Sequence, residues 1–252
     1  MLAAAVVAAA LIILPLIALV AQAPLDDLDE IYRSSVVRDA LRISLISSLG
    51  AAALCGLFGV PLAFVLARYD FRLKRLLRAL VILPMVLPPV VGGTALLLAF
   101  GRRGVIGESL YDATGFLLPY TIWGVILANA FVALPFLVVT VYGALNSLDG
   151  EAEAAASTLG ASDLYILTRI TMPAIAPSIA AGLVLCWARA LGEFGATVTF
   201  AGNLQGRTQT LPLAVFVSLG SDRSVAVAMS LLLVALSTAV LMLQRDRWWG
   251  QM

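Results

Sequence analysis

The sequence predicts an all-α polytopic membrane protein with six transmembrane helices, and three observations carry that expectation. Hydrophobic residues fill 62% of the 252 positions. Charged residues fill only 12%, against roughly 25% in an average soluble domain. The apolar residues gather into six runs, at 2–21, 43–67, 77–100, 119–142, 174–192 and 225–243, each close to the roughly 20 residues a helix needs to cross the hydrocarbon core. Residues 1–252 are read as one transmembrane domain.

The first run, 2–21, ends in Ala21-Gln22-Ala23, which mimics a signal-peptide cleavage site. It is read as a retained span, because it is longer than the usual h-region of about 7–15 residues and no cation precedes it. The loop after it carries Asp26, Asp27, Asp29, Glu30 and Asp39 against Arg33 and Arg38, which suits the outside. After the second span comes RYDFRLKRLLR, with Arg68, Arg72, Lys74, Arg75 and Arg78 against the single acid Asp70. Cytoplasmic loops collect Lys and Arg, so this loop faces inward and fixes the orientation of the rest.

The third span contains Pro84, Pro88 and Pro89, then Gly92 and Gly93. Prolines remove backbone donors and weaken helix continuity, which a membrane tolerates where protein or a water-filled cavity satisfies the freed carbonyls. A pathway-lining helix and a kinked packing helix both fit. The following segment, GRRGVIGESLYDATGFL at 101–117, is too short and Gly-rich to span. It lies outside, with Arg102 and Arg103 read as solvated loop charges ahead of contacts to an acidic surface or an anion.

The fourth span returns the chain to the cytoplasm, which places 143–173 inside. In the fifth span Arg189 and Glu193 lie one helical turn apart, where an intramembrane charge is costly and faces the bundle interior. A structural ion pair or gate support is preferred to direct anion binding, since a strong cationic site would hold an oxyanion rather than pass it. Thr94, Thr197 and Thr199, with the backbone at Gly195, are softer pathway candidates. The run LPLAVFVSLG at 211–220 is too short to cross and is expected at the outer interface or folded partly back. The sixth span then leaves the tail, with Arg245 and Arg247, inside.

Several chemistries are excluded. There is no His, and Cys55 and Cys186 sit in apolar runs rather than in a ligand-spaced cluster, so no metal site and no redox chemistry are expected. Lys74 is the only Lys and follows Leu73, so no phosphate-cradling GxxxxGK[ST] loop exists. Any ATP and Mg must therefore be handled by a separate subunit, and this chain is expected to bind no cofactor and to hold no catalytic residue. A net charge of +1 suggests no nucleic-acid partner. An intramembrane enzyme built on LDDLDE at 25–30 lacks a second cluster and a nucleophile. A passive anion channel would need rings of Arg or Lys, and only Arg189 lies well within a span.

The loop 143–173 contains EAEAAASTLGASDLYILTRITMP, residues 151–173. Asp149 suits an N-cap, Glu151 and Glu153 favour the positive end of a helix, and the alanines supply propensity; a short helix over about 150–159 follows. Gly160 permits a left-handed residue at its end. Ser162 can cap a second helix, 163–170, which Pro173 is expected to stop. Glu153, Ala156, Ser157 and Gly160 share one face, compatible with docking against another protein and with a solvated connector alike.

Glu153-x-Ala155-Ala156, then Gly160, then Ile170-x-Met172-Pro173 resembles the EAA loop of ABC-importer membrane subunits, generically EAA-x3-G-x9-I-x-LP. Ala154 stands at the generic Glu position, with Glu153 one earlier, and Met172 replaces Leu. LPMVLPPVVGG at 83–93, GRRGVIGESLYD at 101–112, WARALGEFGATVTFAGN at 187–203 and QTLP at 209–212 resemble the molybdate permeases and their sulfate and tungstate relatives. The resemblance implies a type I ABC importer permease fold and a place in the cytoplasmic (inner) membrane, in contact with lipid. It also implies a second copy of the chain, two ABC ATPase subunits on the cytoplasmic loops and an external, periplasmic oxyanion-binding protein. Import of molybdate, or of tungstate or sulfate, by alternating access is the function it implies. The inward orientation predicts that Ser157→Cys reacts with a membrane-impermeant thiol reagent in inside-out vesicles and not in intact cells.

Overall fold

The computed structural model describes residues 1–242, so the expected inward placement of Arg245 and Arg247 lies outside the described residues. α1 (Leu2–Ala21) is apolar on every side and has no buried residue. It leans on the body at α13 (Arg223–Met242), where Arg223 donates to the Gln22 side chain at 2.8 Å. After the short α2 (Leu28–Arg33), Ser34 caps α3 (Ser35–Arg68) by accepting from Val37 N. α3 starts before the apolar run, with Val37 and Ala40 buried among polar neighbours in its first turns.

The third run holds α4 (Lys74–Val86) and α5 (Pro89–Phe100), and α6 (Gly107–Thr114) lies in the Gly-rich segment beyond. α7 (Ile122–Ser147) begins at the Thr121 cap. The loop that follows contributes α8 (Glu151–Thr158), α9 (Asp163–Ile166) and a π-helical turn, Leu167–Thr171. α10 (Met172–Leu191), α11 (Gly195–Phe200) and α12 (Leu211–Leu219) precede α13.

The expected spans are present as helices, with two corrections. Among the described residues, five helices are long and apolar enough to cross a membrane, and a sixth span exists if α4 and α5 count as one broken span. The run 77–100 is not a continuous helix, since α4 and α5 meet at 120°. Leu87 is extended (φ −63°, ψ 138°), as the residue before a proline is pushed to be, and Pro89 opens α5. Nor does Pro173 stop a helix at 170. α9, the π turn and α10 run on as one helix, Asp163–Leu191. The π turn closes wider i→i+5 hydrogen bonds and lies directly ahead of Pro173, widening the helix where the ring would otherwise press on the preceding turn.

The core is the packing of α3, α7 and α10. Lipid tails are as apolar as Leu, so association here depends on close fit and interhelical hydrogen bonds. Ala51, Ala63, Ala133 and Ala190 are buried and let the axes approach, while Leu66, Leu137 and Ile175 fill the space between them. Three serines of α3 on one face supply polar ties. Ser47 Oγ accepts from Asn129 Nδ2 of α7 at 3.3 Å, Ser48 Oγ accepts from the Trp187 indole of α10 at 2.9 Å, and Ser44 Oγ accepts from Leu211 N of α12 at 2.7 Å. Asn129 Oδ1 in turn accepts from Thr197 of α11 at 3.0 Å.

α5 crosses α11 at glycine. A Cβ on Gly93 would stand 2.7 Å from Thr199 Cβ and 2.8 Å from the Ala196 carbonyl, whereas one on Gly143 of α7 would meet nothing within 4 Å. Gly93→Ala is therefore expected to lower the detergent melting temperature of the protein. Gly143→Ala should raise it slightly, since Gly in a helix costs roughly 0.5–1 kcal/mol relative to Ala.

Candidate functional site

The loop 143–173 is built as a compact two-helix unit. Gly150 takes a left-handed conformation (φ 74°) as the N-cap of α8, and Asp149 serves one residue earlier than a usual cap, its carboxylate accepting from Glu151 N at 3.2 Å. At the other end Gly160 is left-handed (φ 81°). Its N–H bonds the Ser157 carbonyl and Ala161 N–H bonds the Ala156 carbonyl, each at 3.0 Å, which is the paired Schellman closure of a helix end. Ser162 Oγ then accepts from Tyr165 N at 3.3 Å and opens α9.

Glu153 does not point away from the protein. Its Oε1 accepts from Arg68 Nη2 at 2.7 Å and from Thr171 Oγ1 at 2.5 Å. One carboxylate thus joins α8, the end of α3 and the π turn. Thr171 is buried, and the side chains of Arg68 and Glu153 keep only 33% and 20% of their exposure. The contact also places the loop on the same side as the basic segment 68–78, independently of any charge count. Arg78 joins that side, with its guanidinium 4.8 Å from the centre of the Tyr142 ring of α7.

The predicted docking face divides accordingly. Glu153 and Ala156 are half-buried toward the body, while Ala155, Ser157, Gly160 and Pro173 are exposed and Ile170 is half-buried. The outward surface carries large apolar side chains that the sequence reading did not single out: Leu159 is 88% exposed, Leu164 70% and Tyr165 55%. Exposed apolar patches mark protein or membrane contacts. Their signal in the sequence was faint, because in a chain this apolar three more hydrophobic residues do not stand out.

At the far end of α10, Arg189 Nη2 lies 2.6 Å from Glu193 Oε2, and Glu193 Oε1 accepts from Ala196 N at 2.8 Å. The glutamate is buried, so the pair neutralises a charge and caps α11, consistent with a structural ion pair. Pro89, Gly93, Gly195 and Thr199 come together where α5 crosses α11; a Cβ on Gly195 would stand 2.6 Å from Pro89 Cβ. Gly92 is buried against Phe131. The pathway candidates do not form one surface. Thr197 is buried with its hydroxyl spent on Asn129, Thr199 donates to the Gly195 carbonyl, and Thr94 is exposed but donates to the Val90 carbonyl. Pro84 lies within α4 and Pro88 at the break between α4 and α5.

The other sequence candidates are local. Arg102 stacks 4.7 Å from the centre of the Tyr111 ring, and Asp29 pairs with Arg33 at 3.0 Å in the acidic segment 25–30. In the basic segment, the hydrogen bond and charge of Lys74 hold the Asp70 carboxyl below the ordinary carboxylate range. Sequence reasoning used Arg68 only as a topology signal and passed over Thr171 and Asn129.

Residues 59–247 match the family model described as a binding-protein-dependent transport system inner membrane component. The chain is 48% identical over 203 residues to the molybdenum transport system permease protein ModB of Mycobacterium tuberculosis, covering 81% of this chain and 76% of that one. It is 39% identical over 209 residues to ModB of Escherichia coli, covering 81% and 91%. To the sulfate transport system permease protein CysT of Escherichia coli it is 36% identical over 237 residues, covering 92% and 84%. A chain in the crystal structure of a bacterial alginate ABC transporter, in complex with an alginate pentasaccharide-bound periplasmic protein, superposes with a TM-score of 0.74. At 19% identity, over 96% of this chain and 92% of that one, it is a likeness of fold.

The left-handed Gly160 generates a specific expectation, since nothing lies within 4 Å of a Cβ there and the cost of a side chain is conformational alone. Gly160→Asn, which tolerates that backbone, should keep transport within about twofold, whereas Gly160→Val should lose most of it. The check is uptake normalised to the amount of membrane-inserted chain.

Proposed function

The chain belongs to the binding-protein-dependent transport system inner membrane components, and from that membership we propose that it carries molybdate, or a related tetrahedral oxyanion such as tungstate or sulfate, across the cytoplasmic membrane by alternating access. The protein is an α-helical permease of that membrane. Its relatives named for molybdenum transport are the more similar in sequence, and a sulfate permease stands not far behind. Molybdate is therefore the first substrate to test.

The finer assembly is part of the proposal: two copies of this chain, two ATPase subunits on the cytoplasmic face, and an external binding protein delivering the anion. ATP and Mg are used by the ATPase subunits and not by this chain. The observation that carries the ATP-driven reading is the exposed apolar set Leu159, Leu164 and Tyr165 on a two-helix loop whose spacing resembles an ABC-importer coupling loop. Because α9 continues through the π turn into α10, a push on the loop enters the membrane bundle along a helix axis. The loop residues Glu153, Ala155, Ala156, Gly160, Ile170 and Pro173 shape that handle.

In proteoliposomes holding the permease, its ATPase and the oxyanion-binding protein, molybdate uptake should require ATP and should fall when excess tungstate is added. Uptake that continues with ATP exhausted would favour a passive channel and overturn the reading. Leu159→Arg combined with Leu164→Arg should reduce co-purified ATPase by about tenfold or more, as loss of buried apolar anchors does at an interface, while the chain still inserts.

A further inference from the structure

Resting on the reading that an ATPase drives the loop, we infer that Arg68 is a positioning residue for energy coupling: its ion pair with Glu153 fastens the loop to α3, so that movement of α8 reaches α3 as well as α7 and α10, the two core helices it is joined to through the chain. The loop has a covalent route into α10, because Asp163–Leu191 is a single helix. It has no such route into α3, which lies more than eighty residues earlier in the chain. The Arg68–Glu153 contact at 2.7 Å is the polar tie between α8 and the end of that helix.

The junction is built to transmit direction. Thr171 Oγ1 donates to the same carboxylate oxygen, so Glu153 holds the π turn and α3 at once. Thr171 is buried and Glu153 largely so, whereas Glu151 on the outer side of α8 is exposed. Beside the pair lies a cavity of about 490 Å³, lined by Phe64, Arg68, Glu153, Asp163, Leu167 and Thr171. The latch is therefore a direct bridge between the loop and α3 across this open groove.

A charge swap in the reconstituted complex of permease, ATPase and molybdate-loaded binding protein tests this. Arg68→Glu alone should leave the ATPase bound and its basal hydrolysis unchanged. Arg68→Glu and Glu153→Arg should each cut stimulation by the loaded binding protein and molybdate uptake by about tenfold, within the ~5–150-fold range of coupling between two sites. Arg68→Glu with Glu153→Arg should restore both to within about threefold of wild type, and Arg68→Lys should behave nearly as wild type. A swap no better than the worse single variant, or full stimulation in Arg68→Glu, would overturn the inference. Loss of bound ATPase from Glu153→Arg that the swap does not restore would show the carboxylate to be a docking group instead. Failure of the wild-type chain to capture an ATPase would remove the proposed function itself, and the latch with it.

Discussion

A polar group placed within the membrane bundle must find its partner inside the bundle, because no water is there to serve it. The structure follows from how that constraint is met. A charge within a spanning helix is costly, and Arg189, in the last turn of α10, meets the cost with a buried glutamate that goes on to cap α11. Asn129 and the serines of α3 are spent in the same way, so that α7, α10, α11 and α12 are each held to a neighbour by a specific hydrogen bond. Interhelical hydrogen bonds in membranes average only about 0.6 kcal/mol. Their value lies in fixing which residue faces which, in a bundle that apolar packing alone would let slide.

The same logic makes the loop end of the bundle informative. Outside the bilayer, water competes for every ion pair, and exposed pairs are worth only about 0.2–1 kcal/mol. Arg68 and Glu153 are therefore weak evidence for stability. They are better evidence for geometry, because the carboxylate is shared with a buried threonine and joins elements far apart in the chain. Alongside them, α9 enters α10 without a break. Covalent continuity on one side and a polar latch on the other turn a small exposed loop into a part of the bundle, while Leu159, Leu164 and Tyr165 remain uncovered.

Much of this was legible in the sequence, for physical reasons. Runs of about 20 apolar residues mark helices whatever they pack against, and the left-handed Gly160 and the Ser162 cap follow from local rules. What was not legible depended on distant partners. Consecutive prolines at 88 and 89 announce a weakened helix, but the 120° angle between α4 and α5 is set by packing against α7 and α11. Pro173 reads as a stop because a π turn leaves no mark in composition. Glu153 was assigned to a docking face from its neighbours on α8, yet its direction is decided by Arg68, 85 residues away. Its offset by one position from the generic glutamate was the clue: one residue along an α-helix turns a side chain by about 100°, enough to move a carboxylate from an outer face to an inner one.

The placement of charge also bears on where selectivity arises. Arg189, the cation expected inside a span, is neutralised at 2.6 Å by Glu193. Of the neutral donors considered for the pathway, Thr197 and Thr199 give their hydroxyl protons to groups of the protein, and the exposed Thr94 donates to its own helix. None of these hydroxyls keeps a free proton for a dianion, which leaves little leverage for telling one tetrahedral dianion from another, since discrimination of that kind needs donors fixed at the distances of a particular anion. On the function proposed above, the choice of anion would belong to the protein that delivers it, and the permease would contribute the timing of the opening.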